Sequence, residues 1–374
     1  MANLLDYLSW RGDVPFSVDP FGEVDALLLA ELAYVDLAEL VPAEGAASLA
    51  AVCAGFFARH SREALAARSD SGSRAAPLLE EMCAGARFRD TRLCHSVSLI
   101  DRERETQFAA VTFLLPDGAA FVAFRGTDSS LVGWKEDFHL ACLPQTEGQR
   151  RAAAYLDAAG AAHCGPLRVG GHSKGGNFAV YAAAFCADAV QARIEAVWSF
   201  DGPGFRAEVL EATGFRRVRE KICTLVPDTS VIGRLLLAPG PVRVVKSAAA
   251  GIQQHDGFTW LLRRNRFVEA PPSELGLLLE QALGNWLEHM DDETRGSLTE
   301  TVFSLLESTG QDSFHAMGEQ KWKSAEALAS SVAWLPKEKR QELRKLAARL
   351  LQSCGQSAVA YLPRMGGGKT EESE

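Results

Sequence analysis

No two of the eight cysteines in this 374-residue chain stand at C-x-x-C spacing. That removes the zinc-ribbon and thioredoxin-like readings. The cysteines, at 53, 83, 94, 142, 164, 186, 223 and 354, are scattered, several in apolar settings such as AAAFCAD around Cys186. They read as buried, reduced thiols. Positive charge is not in excess: the formal net charge is -9, which argues against a nucleic-acid backbone as partner. No apolar run reaches bilayer length, so no transmembrane segment is expected. The N-terminus, MANLLDYLSWRGD, carries Asp6 early and has no apolar stretch ending in a cleavage site. A secretory signal is therefore not expected, and the cytoplasm is the expected compartment. There is no internal repeat.

What is present is the composition of a globular protein, 47% hydrophobic and 23% charged, with length enough for a large core. Helical spacing runs through 23–40, and Ala-rich helical stretches follow at 46–68 and 75–86. TQFAAVTFLL (106–115) and AAFVAFRG (119–126), joined by Pro116-Asp117-Gly118, predict a β-hairpin. A helix is predicted over 147–163, a strand over 166–173 and a helix over 174–187. Short apolar strands are predicted at 193–200, 221–226 and 242–247. Strands alternating with helices imply a mostly parallel sheet covered on both faces, an α/β fold. Beyond Pro271-Pro272 the pattern turns helical, at 273–289, 292–308, 323–333 and 336–353. The expected layout is an N-terminal helical segment over 1–90 packed on a core over 91–270, a C-terminal helical region over 271–363, and a Gly-rich then acidic disordered tail over 364–374.

Gly171-His172-Ser173-Lys174-Gly175 is a G-x-S-x-G sequence. A nucleophile that must stand exposed at a strand end needs a sharp, strained turn into a helix, and glycines two before and two after leave room for it. The motif is weak alone, but here an apolar strand precedes it and a helical stretch follows. The helix N-terminus brings free N–H groups, of which that of Lys174 would face a developing oxyanion. The bland alternative is a Gly-rich turn with an incidental serine. The Lys174 side chain is expected to face solvent in the first helical turn; the other reading is selection of an anionic substrate.

Phe124-Arg125-Gly126-Thr127-Asp128 ends an earlier strand. Its Thr127 N–H, with the hydroxyl assisting, is the natural second oxyanion donor. Read blandly, this is a surface turn with Arg125 paired to a nearby acid. Ser173 needs a base, and the base an orienting acid. Only His255, His289 and His315 follow the serine. The last two fall in the helical region, whereas His255 lies in the polar, turn-rich GIQQHDG after the last core strand. For the acid, Asp201 in DGPGF and Asp228 in VPDTS both follow strands, and either could simply cap a turn.

FRGTD, with Trp134 and Asp137 downstream, and GHSKGG resemble the oxyanion loop and nucleophile elbow of the class 3 (fungal-type) triacylglycerol lipases, although Lys174 replaces their usual apolar residue. The chain more closely resembles a bacterial lipase-like α/β-hydrolase family of unknown function, the Mbeg-like proteins. That resemblance rests on Asp6-Tyr7-Leu8 with Trp10-Arg11-Gly12-Asp13, on Glu23-Val24-Asp25-Ala26-Leu27, and on GHSKGGN, DGPGF and GIQQHD, motifs running to about residue 310. It implies an α/β-hydrolase fold. It also implies Asp201 as the acid, because DGPGF is typical of the family and the position of Asp228 usually is not acidic.

The expectation is a serine hydrolase that needs no metal or organic cofactor and acts on a small-molecule or lipid ester: Ser173 nucleophile, His255 base, Asp201 acid (Asp228 the alternative), Thr127 and Lys174 N–H groups as oxyanion hole. Two rivals stand beside it: a catalytically silent hydrolase fold that binds a ligand or partner, and an acyltransferase. The helical additions are open to a role as a lid or as packing.

Overall fold

The computed structural model describes residues 2–352, apart from 289, 314, 315, 318, 319, 342, 343, 346, 347 and 349–351. Eight strands form one sheet in sequential order: β1 (Ala47–Ser48), β2 (Arg92–Asp101), β3 (Thr106–Leu114), β4 (Ala120–Phe124), β5 (Leu167–His172), β6 (Ile194–Phe200), β7 (Ile222–Pro227) and β8 (Val242–Val245). Pairing is antiparallel from β1 to β4 and parallel from β4 to β8. The β3–β4 hairpin turns where Pro116-Asp117-Gly118 predicts it, with Gly118 at φ 86°, a conformation glycine takes without steric cost. β4 shows why both faces must be covered. Its Phe121 and Ala123 enter one hydrophobic cluster, and its Ala120, Val122 and Phe124 enter the other. Every second side chain points the opposite way, and here all five are apolar.

The second face packs under helices Glu147–Ala162, Lys174–Phe185 and Thr213–Val218. The first is covered by the N-terminal segment, whose central helix, Glu23–Leu32, has nine of its ten residues buried. That helix is shorter than the 23–40 periodicity predicts. Asp36 accepts a hydrogen bond from the Ala38 N–H (3.3 Å), a local alternative to helix, and Ala33–Val41 turns instead. The stretch expected as one helix over 46–68 holds β1 and two helices, Leu49–Arg59 and Arg62–Ala66, the second started by its own cap at Ser61. A buried ion pair ties this layer together. Arg87 donates to both carboxylate oxygens of Asp25 (2.7 and 2.6 Å), and the Tyr7 hydroxyl donates to the same carboxylate (3.0 Å). The remaining guanidinium protons reach the carbonyls of Val14, Asp19 and Pro20. A pair desolvated this fully is tolerable because its hydrogen bonds are nearly all made. The motifs around Tyr7 and Asp25 therefore have a structural use.

C-terminal helices Glu274–Glu288, Asp292–Glu307 and Lys321–Trp334 follow the core. The expected helix over 336–353 lies partly, and the tail over 364–374 wholly, outside the described residues. Ion pairs join this region to the core with one polarity. Lys135 meets Glu300 (2.8 Å), Arg206 meets Asp292 (2.7 Å), Arg102 meets Asp312 (3.1 Å), and Arg234 meets Glu280. In each the core gives the cation and the helical region the anion. Seven cysteines are described, all free thiols; Cys164 is exposed, against the expectation of burial, and Cys354 lies outside the described residues. No described helix is long and apolar enough to cross a membrane.

Candidate active site

β5 runs into helix Lys174–Phe185 through Ser173, which sits at φ 58°, ψ -133°. A non-glycine residue at positive φ is strained and needs support from its surroundings. The Ser173 N–H donates to Phe200 O (2.9 Å), and Ser173 O accepts from the Gly176 N–H (2.8 Å). The flanking glycines are required by closeness. A Cβ on Gly171 would lie 2.2 Å from Gly175 O, and one on Gly175 would lie 2.1 Å from Phe124 O. The two ends of the Ser173 turn and the end of β4 are thus pressed backbone to backbone.

Asp201 follows β6 directly and is also at positive φ, 50°. It is fully buried, and its Oδ2 lies 2.6 Å from His255 Nδ1. A carboxylate there accepts the Nδ1 proton, which leaves Nε2 of a neutral imidazole with its lone pair free. Asp201 Oδ1 is buried without a hydrogen-bond partner. Asp228 is engaged elsewhere: its Oδ1 accepts from the Ser273 N–H (2.7 Å) at the entry to the C-terminal helices. The structure therefore brings His255 to Asp201, and Ser173 and His255 line one cavity. His289 and His315 lie outside the described residues.

Thr127 lies beside the elbow; a Cβ on neighbouring Gly126 would approach Ser173 Cβ to 2.9 Å. The Thr127 hydroxyl donates to Asp137 Oδ2 (2.5 Å), so its proton is spent there rather than on an oxyanion, and the backbone N–H is what the loop can offer. Burial pushes the Asp137 carboxyl up to about 6, against the lowering effect of Lys174 and of the Thr127 hydrogen bond. Arg125 pairs with Asp128 at 3.4 Å.

The Lys174 side chain corrects the sequence expectation. It is fully buried, with Nζ 2.9 Å from Glu136 Oε2 and 3.3 Å from Gly133 O. Glu136 also accepts from the N–H groups of Gln107 (3.1 Å) and Gly148 (2.9 Å). The ammonium turns inward because an equally buried carboxylate awaits it, and no charge is left over for an anionic substrate. Sequence reasoning missed Glu136, which stands 38 residues away from its partner.

It also missed what lies behind His255. His172 donates from Nε2 to the His255 carbonyl (2.7 Å), and its Nδ1 is 3.1 Å from the Tyr34 hydroxyl. Burial holds the His172 pKa well below 6.5. Glu31 Oε1, buried and unpartnered, is 3.7 Å from the same Nδ1, and burial raises the Glu31 carboxyl to about 8.

The cavity in front measures about 1470 Å³. Trp134, Phe138 and Ile232 of the core and Leu283, Trp286 and Leu298 of the C-terminal helices are among its apolar walls. Another group with ligating atoms close together, Glu105, His139 and Glu300, already holds the Lys135 ammonium on both carboxylates.

A mostly parallel sheet, helices on both faces and a strained serine between strand and helix define an α/β-hydrolase fold. The chain belongs to the Mbeg1-like family, whose model matches residues 82–304. The motifs near Tyr7 and Asp25 fall before that segment. Among solved structures, M37 lipase is 13% identical, with a TM-score of 0.34 over 56% of this chain and 68% of that one. The Rhizomucor miehei lipase in its propeptide complex is 15% identical, with a TM-score of 0.32 over 42% of this chain and 57% of that one. No curated protein matches the chain.

Proposed function

We propose that the protein is a serine hydrolase that cleaves a carboxylic ester through an acyl-enzyme. The observation that carries this reading is the 2.6 Å contact of His255 Nδ1 with buried Asp201, in the cavity that Ser173 lines. Ser173 Oγ attacks the ester carbonyl as His255 Nε2 takes its proton. The N–H groups of Thr127 and Lys174 receive the oxyanion. Collapse of the tetrahedral adduct releases the alcohol, which leaves with the proton from His255. Water, deprotonated by the same nitrogen, then frees the acid. Asp201 holds the Nδ1–H tautomer and offsets the charge of the imidazolium. A small-molecule or lipid ester fits the apolar cavity.

The test is covalent labelling by a fluorophosphonate. Wild type labels and Ser173→Ala does not; equal labelling of the two, or none of folded wild type, refutes the assignment.

A further inference from the structure

His255 ends a short 3₁₀ helix, Gly251–His255, that begins at a left-handed Gly251 (φ 58°) and carries an Ile252 that is 70% exposed. So short a helix holds a reacting group less firmly than a long helix or a sheet strand does, so its position draws on outside contacts. Asp201 supplies one, at Nδ1. Trp260 and Thr229 hold the neighbouring Gln254, and a contact to His255 itself comes from β5, through the residue before the proposed nucleophile.

We propose that His172 is a positioning residue for His255. Its Nε2–H anchors the His255 carbonyl at 2.7 Å, and its ring lies against the His255 imidazole, with centroids 4.6 Å apart and planes inclined by 35°. The proposal rests on the reading of Ser173 and His255 as nucleophile and base. A carbonyl only accepts, so Nε2 must carry the proton, and a neutral ring then has a bare Nδ1. The Tyr34 hydroxyl is placed to donate to that Nδ1 (3.1 Å), which fixes the tautomer. The titratable and charged groups around the ring agree with a neutral state. Tyr34 keeps its proton, its pKa well above 10 through burial, and burial raises the Glu31 carboxyl, which favours its neutral form. Arg74, paired with Asp256, and His255 both disfavour a second positive charge. One residue thus links the backbone of the proposed base to the strand that carries the proposed nucleophile.

The experiment uses the full chain and two readouts: the second-order rate of fluorophosphonate labelling between pH 5.5 and 9, and histidine ¹⁵N and ring-proton NMR. His172→Asn places its amide near Nδ1 and cannot reach the His255 carbonyl. His172→Gln extends its amide to the Nε2 position. Asn is expected to slow labelling by on the order of 10- to 100-fold, as a misplaced base does, to shift the pH profile, and to move the His255 Nδ1 proton signal. Gln is expected to recover most of the rate. Tyr34→Phe, a milder change should Asn fail to fold, is expected to slow labelling less and to admit the Nδ1–H tautomer of His172. Wild-type rate and profile in folded His172→Asn would overturn the proposal, as would a Gln variant no faster than Asn. If wild type does not label, the nucleophile reading falls by itself. An unmoved His255 signal in His172→Asn then overturns the anchoring too, and a moved one upholds it.

Discussion

Glu31→Gln should make the protein more stable at neutral pH than at acid pH, relative to wild type. Glu31 is 3% exposed, and burial raises its carboxyl from 4.5 to about 8, with Asp256 adding to the rise and Arg74 opposing it. The folded protein therefore holds a proton that the unfolded chain gives up near pH 4.5. Stability from such a group is complete below 4.5 and is lost as pH rises towards 8, at about 1.4 kcal/mol per pH unit. The accumulated cost is below about 1 kcal/mol at pH 5 and about 3 kcal/mol at pH 7. Glutamine has the shape of the protonated acid and does not titrate. Whatever its amide costs in packing is the same at both pH values, so the difference isolates the proton. Urea unfolding of the two proteins at pH 5 and pH 7 should give an advantage for glutamine that is about 2–3 kcal/mol larger at pH 7. An advantage that does not change with pH, or one that shrinks as pH rises, would refute a protonated Glu31.

The two candidate acids separate by mutation: Asp201→Asn should cut fluorophosphonate labelling by about 10⁴-fold, the order seen when a triad histidine loses its tautomer. Asp228→Asn, which keeps an Oδ1 acceptor for the Ser273 N–H, should leave labelling within about twofold and stability within about 1 kcal/mol, measured by thermal melting. Lys174→Ala, which strands Glu136 in the interior, should cost about 3–5 kcal/mol in urea unfolding. The Lys174→Met/Glu136→Gln double variant should recover at least half of that. Gly175→Ala should displace the Phe124 strand end and abolish labelling in whatever protein folds, because the added carbon would lie 2.1 Å from Phe124 O.

Much of the core was legible because its signals are local. The β3–β4 hairpin announces itself by Pro116-Asp117-Gly118, and the elbow by glycines at two-residue offsets. His255 stood out by scarcity, among three histidines after the serine. β2 was not legible: its register shifts between Cys94 and Val97, and His95 sits at φ 54°, so alternation breaks in mid-strand. Which aspartate contacts His255 could not be read from residues alone, since Asp201 and Asp228 both follow apolar strands. Which strand end faces the turn of His255 is a property of the folded sheet. The inward turn of Lys174 and the Tyr34–His172 contact, 138 residues apart, are likewise products of tertiary packing that no spacing rule reports.

The N-terminal layer has a practical consequence. The family match begins at residue 82, yet Val111, Phe113, Phe121 and Trp198 share their cluster with Leu4, Leu27, Leu28 and Leu79. A chain trimmed to 82–304 would carry that face of the sheet bare, an apolar surface of the kind that drives aggregation. It would also lack Tyr34. The boundary of the folding unit is thus set by which surface must be kept from water, and it reaches back to the first helix, Leu4–Arg11.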